Sequence, residues 1–258
     1  MKSRTLIVGY VLALALFLFG QRHPTSPTPT GFHAVVDLTH SIDPQAYVPA
    51  GGSADQVKTA ARVNKAYFLG NTSSADPFET RIDAPAHFAR GLWTVDRIPA
   101  ERLIAPLVVL DVRANVENHP DYQISVEDIA TWEQAHNQIP LGSVVIARTN
   151  WDSRRQSANG YRHAAGDTTH FPGYSPDAAK FLVEGRSVLG LGIDTPNIDN
   201  GPSKDFAVQQ YTLSQSVYQL TNVANLDRVP AVSAMVVVAP TKLESGSSGP
   251  VRILALVK

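Results

Sequence analysis

A chain of 258 residues with 43% hydrophobic side chains can bury one sizeable core, and residues 33–258 have the length of a single domain. Its 22 basic and 23 acidic residues leave a formal net charge of −1 with no long basic run, so nucleic acid and acidic membrane surfaces have no electrostatic footprint here. There is no cysteine, which excludes disulfide frameworks, thiol nucleophiles and zinc–thiolate sites.

At the N-terminus, Lys2 and Arg4 precede an apolar run from Leu6 to Phe19, and a proline- and threonine-rich linker covers residues 21–32. The pattern is that of an export signal, and the run is shorter than the ~20 residues that span a bilayer comfortably. A cleaved signal over residues 1–20 and delivery to a periplasmic or extracellular space are expected. The alternative is an uncleaved membrane anchor over residues 6–19, because Leu18 and Gly20 are the best small-x-small pair available. From Ala34 to Leu38 an apolar run reads as the first strand, closed by His40-Ser41 and Asp43-Pro44. On residue type alone His40 reads as a structural histidine before it reads as a ligand.

The segment Phe78-Glu79-Thr80-Arg81-Ile82-Asp83-Ala84-Pro85-Ala86-His87-Phe88 holds a carboxylate and an imidazole four positions apart. Pro85 fixes its own backbone and pushes Ala84 towards extended geometry, so a rigid loop, and no regular helix, joins Asp83 to His87. A carboxylate can ligate a metal and an imidazole can move a proton near neutral pH, which are two parts of metal-assisted hydrolysis. Taken alone, the segment reads first as a structural turn.

Further along, the β-branched density of Leu107–Val112 predicts a buried strand. Ser125 can cap a helix that carries Glu127 and Asp128 in its first turn and ends near Gln138, before Pro140; a strand over Ser143–Arg148 follows. Residues 151–174 have no clear period and carry Trp151, His163, Asp167 and His170, the composition of a binding loop. Ser175-Pro176-Asp177 opens a helix running to Glu184 and stopped by Gly185, and Val188–Ile193 is the next strand. Asp194 ends that strand, either to contact a ligand or to fix the loop by accepting backbone N–H groups. Val208–Leu213 reads as a short helix, and Val217–Leu220, Ala234–Val238 and Arg252–Val257 as strands, the last two joined across a Ser/Gly turn at 245–249. Periodicity by itself gives an α/β class and one domain.

The segment around Asp83 resembles the hallmark H-x-G-T-H-x-D-x-P-x-H of the metal-dependent cyclase family, of the bacterial kynurenine formamidase and isatin hydrolase type. Thr80, Asp83, Pro85 and His87 match, while Pro77 and Arg81 stand where the pattern has histidines and Glu79 where it has glycine. The resemblance continues through Asp37-Leu38-Thr39-His40, Arg148-Thr149-Asn150-Trp151, Phe171-Pro172-Gly173-Tyr174-Ser175, Gly192-Ile193-Asp194-Thr195-Pro196, Asn225-Leu226-Asp227 and Gly246–Arg252. It implies a single layered β/β/α domain of swivelling type assembled as a homodimer or tetramer. It also implies zinc or manganese, and hydrolysis of a formamide, lactam or other cyclic amide C–N bond by metal-activated water, with Asp83 as ligand and His87 as acid/base.

By position, the family's remaining two ligands fall on Gln209 and Thr221. Pro77, Arg81, Gln209 and Thr221 thus replace four of five expected ligands, and a guanidinium cannot donate a lone pair to a cation. The metal is accordingly expected to be weak or absent, with Arg81 paired to Asp83 and with Arg81, His40, Gln209, Thr221 and Glu79 around the cavity. A rebuilt oxygen-rich site recruiting Asp76, Glu79 or His170 would suit magnesium, calcium or manganese. The alternative to a small-molecule hydrolase is an inactive exported homologue that binds a small carboxylate or aromatic ligand beside Arg81. A purely structural or partner-binding subunit has no feature that speaks for it beyond the replaced ligands.

Overall fold

The β-branched and leucine-rich runs become the strands of one sheet, as the computed structural model shows for the residues it describes: 28–41, 62–64, 67–69, 79–156 and 168–258. The chain divides into Met1–Gly31 and Phe32–Lys258, and every strand and helix described lies in the second unit. The export segment over residues 1–20, Asp76, Pro77, His163 and Asp167 lie outside the described residues.

In chain order the strands are β1 (Ala34–Asp37), β2 (Arg62–Asn64), β3 (Tyr67–Leu69), β4 (Arg81–Asp83), β5 (Ile104–Asp111) and β6 (Gln123–Ile124). They continue with β7 (Val144–Arg148), β8 (Gly173–Tyr174), β9 (Gly190–Ile193), β10 (Tyr218–Thr221), β11 (Ala234–Pro240) and β12 (Ser248–Val257). The main sheet runs β1-β12-β11-β5-β7-β9-β10-β4, and β4 also pairs with β12. Seven strands, β4 to β12 without the short β6 and β8, therefore close on themselves. The central β5, β7, β9 and β10 are parallel neighbours.

The expected α/β class holds, and the strand order is that of a barrel-like sheet with few helices, which does not by itself confirm the layered swivelling arrangement. Closure of the sheet follows from the length of β12. One edge of this ten-residue strand pairs with β11, while its other edge is shared, Ser248–Pro250 pairing with β4 and Leu254–Val257 with β1. The Ser/Gly segment expected to be wholly turn thus begins the strand at Ser248.

Both faces of the central strands are buried, which is why β7 reads as a continuous apolar run. Val144 and Ile146 join one core with Ile82, Leu107, Leu220 and Ile253, while Val145 and Ala147 join a second with Leu110, Leu191, Ile193, Trp132 and Leu182. The helices are α1 (Arg113–Val116), α2 (Val126–His136), α3 (Pro176–Lys180) and α4 (Ala207–Ser214). Ser125 and Asp128 make a reciprocal capping box at the start of α2, and Asn137, at φ +70°, ends it. The Ser175 side chain caps α3, which continues as one π turn, Phe181–Gly185.

Candidate active site

Directly opposite residues of antiparallel strands share a face. Across β10, Asp83 stands opposite Gln219 and Arg81 opposite Thr221; across β12, Asp83 stands opposite Ser248 and Arg81 opposite Pro250. Ile82 and Leu220 point the other way, into the first core. Five polar side chains from three strands, Arg81, Asp83, Gln219, Thr221 and Ser248, are thereby placed on one face by register alone.

Helix α4 adds Gln209 to this set. Its position is fixed by Asp199, whose two carboxylate oxygens accept the backbone N–H groups of Val208 (2.9 Å) and Gln209 (3.0 Å), satisfying donors that a helix N-terminus leaves open. Gln209 Nε2 then donates to Asp83 Oδ2 at 3.4 Å, and its Oε1 accepts Asn197 Nδ2 at 3.2 Å. Gln219 Nε2 donates to Thr212 Oγ1 at 2.5 Å, which ties β10 to the same helix.

Asp83 is buried, and Arg81 Nε lies 3.8 Å from its Oδ1, the two side chains being 24% and 8% exposed. Burial pushes the Asp83 carboxyl above the usual carboxylate range, while the charges of His87 and Arg81 and a hydrogen bond from Ser248 pull it down. Arg81 Nη2 also donates to Ser248 Oγ at 2.5 Å. The Ala84-Pro85 break acts as expected: one 3₁₀ turn, Pro85–His87, carries His87 to the surface, where Nδ1 meets Ser247 Oγ at 3.1 Å. The His87 ring packs edge-on against Phe88, with centroids 5.3 Å apart, and Phe88 lies 6.2 Å from Phe206 at the start of α4.

The other two expected cavity residues border this face through a backbone network. His40 N–H donates to Thr80 Oγ1 (2.9 Å), Thr80 Oγ1 donates to the carbonyl of Asn222 (2.7 Å), and Asn222 Nδ2 donates to the carbonyl of Glu79 (2.8 Å). Asn222 adjoins Thr221, so His40, Glu79 and Thr221 meet around the shared end of β1, β4 and β10. Burial, reinforced by the charge of Arg155, pushes the His40 imidazole down from 6.5 to about 4.

A depressed folded-state value means that His40 stabilises the fold fully above pH 6.5 and loses that contribution as pH falls towards 4. Discounted for partial exposure, the effect is about 2 kcal/mol. Urea unfolding at pH 7 and pH 4 should therefore show the wild type losing about 2 kcal/mol more than His40→Gln over that interval. Equal losses in the two proteins would refute the assignment.

His170, a candidate recruit to a rebuilt metal site, does not join Asp83; its Nδ1 lies 2.7 Å from Asp121 Oδ2. Gln219, Ser247, Ser248 and Phe206 are site residues that sequence reasoning missed. Only the Ser/Gly turn at 245–249 carried a signal, and it was one of composition.

Among the described residues the donor set around Asp83 does not fit a divalent cation. Around Asp83 stand an amide N–H₂ and a guanidinium, which present hydrogens where a metal needs lone pairs. Among the described residues no group of three His, Cys, Asp or Glu is placed to hold a metal ion.

The profile of the Cyclase family, described as "Putative cyclase", matches residues 36–200, more than half of the chain. Isatin hydrolase of Roseibium aggregatum is 32% identical over 186 residues, covering 69% of this chain and 70% of that protein. Kynurenine formamidase of Salinibacter ruber is 26% identical over 222 residues, covering 85% of this chain and 95% of that protein. The solved isatin hydrolase A of Ralstonia solanacearum superposes with a TM-score of 0.77 at 29% identity, covering 100% of this chain and 99% of that one. With a profile match of that extent and a relative above 30% identity on a shared fold, the chain belongs to the cyclase family.

Proposed function

We propose that this chain hydrolyses an amide C–N bond of a small formamide, lactam or other cyclic amide, the reaction class named for its isatin hydrolase and kynurenine formamidase relatives. The observation that carries the reading is the delivery of His87 to the mouth of the Asp83–Arg81 face, held there by Ser247 at 3.1 Å. The imidazole tautomer that donates Nδ1–H to Ser247 leaves Nε2 as the proton acceptor. Nε2 takes a proton from water as the water oxygen bonds to the carbonyl carbon, and returns it to nitrogen as the C–N bond breaks, giving a carboxylic acid and an amine. Arg81 supplies the positive charge facing the developing oxyanion.

No step passes through a metal, so turnover of isatin or of an N-formyl aromatic amine should survive dialysis against a chelator. The test is product formation by the purified full chain before and after such dialysis. Activity that disappears with chelator and returns with zinc or manganese would overturn the role of Arg81. Absence of turnover by the folded protein in both states would favour the second reading, an inactive carboxylate- or aromatic-binding relative, to which the Arg81–Asp83 pair lends support.

Export by residues 1–20 and assembly as a homodimer or tetramer are part of the same proposal. They rest on the N-terminal pattern and on the family resemblance respectively.

A further inference from the structure

We infer that Arg81 and Thr221 together form a binding site for the carboxylate of an aryl carboxylate. The inference rests on the hydrolase reading only for where such a carboxylate comes from, since C–N hydrolysis of an aryl-fused lactam leaves one on the aryl product; binding itself stands apart from turnover.

A guanidinium offers five N–H donors in a planar fork. Ser248 Oγ takes one of them, from Nη2, and Asp83 Oδ1 lies 3.8 Å from Nε, beyond hydrogen-bond reach. Most of the fork therefore faces no acceptor among the described residues. Directly opposite on β10 stands Thr221, 2% exposed, whose Oγ1 is buried and has no hydrogen-bond partner among the described residues. Buried hydroxyls are rarely left so, and cross-strand partners have Cβ atoms only about 5 Å apart. Two donor groups without acceptors, side by side on one face, match a ligand carrying two coplanar oxygens.

The neighbouring Asp83 limits the ligand's charge. That carboxylate already draws on the single positive charge of the guanidinium, so a dianion such as phosphate is disfavoured more than a monoanion. The aryl part follows from Phe88 and Phe206, 41% and 40% exposed and the only aromatics among the large exposed apolar side chains of the described residues. Their rings lie 6.2 Å apart beside His87, brought together from opposite halves of the chain, and Phe206 holds a left-handed φ of +51° that a bulky residue rarely adopts.

The test uses the full chain, dialysed against chelator, with sodium benzoate as probe, sodium acetate to separate the aryl contribution and sodium chloride as the ionic control. Calorimetric titration and thermal melts at pH 7 should show saturable binding of benzoate, weaker binding of acetate and no response to chloride. Arg81→Gln should weaken benzoate about 10- to 100-fold and Thr221→Val about 3- to 10-fold. Should Arg81→Gln fail to fold, Arg81→Lys keeps the charge without the fork and is expected to weaken benzoate as well.

Benzoate behaving like chloride, or both substitutions leaving its affinity unchanged, overturns the site. Benzoate and acetate binding alike overturns the aryl assignment. Turnover without benzoate binding refutes this inference alone, and benzoate binding without turnover refutes the hydrolase reading alone.

Discussion

Replacing His87 by alanine should lower kcat/KM for C–N hydrolysis by about a thousandfold, in the range that general acid–base groups contribute. Most of the loss should fall on kcat, because the imidazole acts on the proton in flight and takes little part in holding the ground state. The side chain is exposed, with Ser247 Oγ as its hydrogen-bond partner and Phe88 against its ring, so its removal should leave the urea midpoint within about 0.5 kcal/mol of wild type. That separation of activity from stability makes the prediction sharp. Ser247→Ala provides the internal check: it removes the acceptor that fixes the tautomer but leaves the base, and should cost about tenfold. A His87→Ala protein that keeps more than a tenth of its activity would remove the imidazole from the mechanism.

How far the site could be read from the chain depends on how each residue arrived there. Asp83 and His87 lie within one short segment whose proline dictates its shape, so local chemistry sufficed. Gln209 and Thr221 were placed only by resemblance to a family pattern, and the structure brings both to the Arg81–Asp83 face, Gln209 by a direct hydrogen bond and Thr221 by register. Gln219, Ser248 and Phe206 were not legible, because each reaches the site through pairings more than a hundred residues distant that no local period encodes. The same limit explains the fold. Periodicity gave most strands to within a few residues, yet closure of the sheet hangs on β12 serving both β1 and β4 along one edge.

The sequence admits two roles for Asp194, ligand contact and loop anchor, and its surroundings separate them. Its oxygens accept the backbone N–H of Thr149 (3.1 Å to each), the Thr149 hydroxyl (2.5 Å) and the backbone N–H of Trp151 (3.2 Å). Thr149 and Trp151 follow β7, the parallel neighbour of β9, so one buried carboxylate ties the end of one strand to the loop leaving the next. Asp194→Ala should therefore cost about 4 kcal/mol in urea unfolding, since the buried Thr149 N–H and hydroxyl lose their acceptor at once and Trp151 N–H keeps Thr149 Oγ1 at 3.3 Å. Set against a total stability of about 5–15 kcal/mol, that is enough to endanger the fold. Asp194→Asn keeps one acceptor oxygen and should cost about half as much.

The pH dependence gives a second, independent signature. Burial outweighs these hydrogen bonds and pushes the Asp194 carboxyl up to about 7. A raised folded-state value means that its contribution is complete below the unfolded value of 3.8 and declines as pH rises through about 7. The stability gap between wild type and Asp194→Ala should accordingly be wider at pH 5 than at pH 8. A gap below about 1 kcal/mol at both pH values would return Asp194 to the list of ligand contacts, because a carboxylate that can be deleted so cheaply is not holding a buried loop.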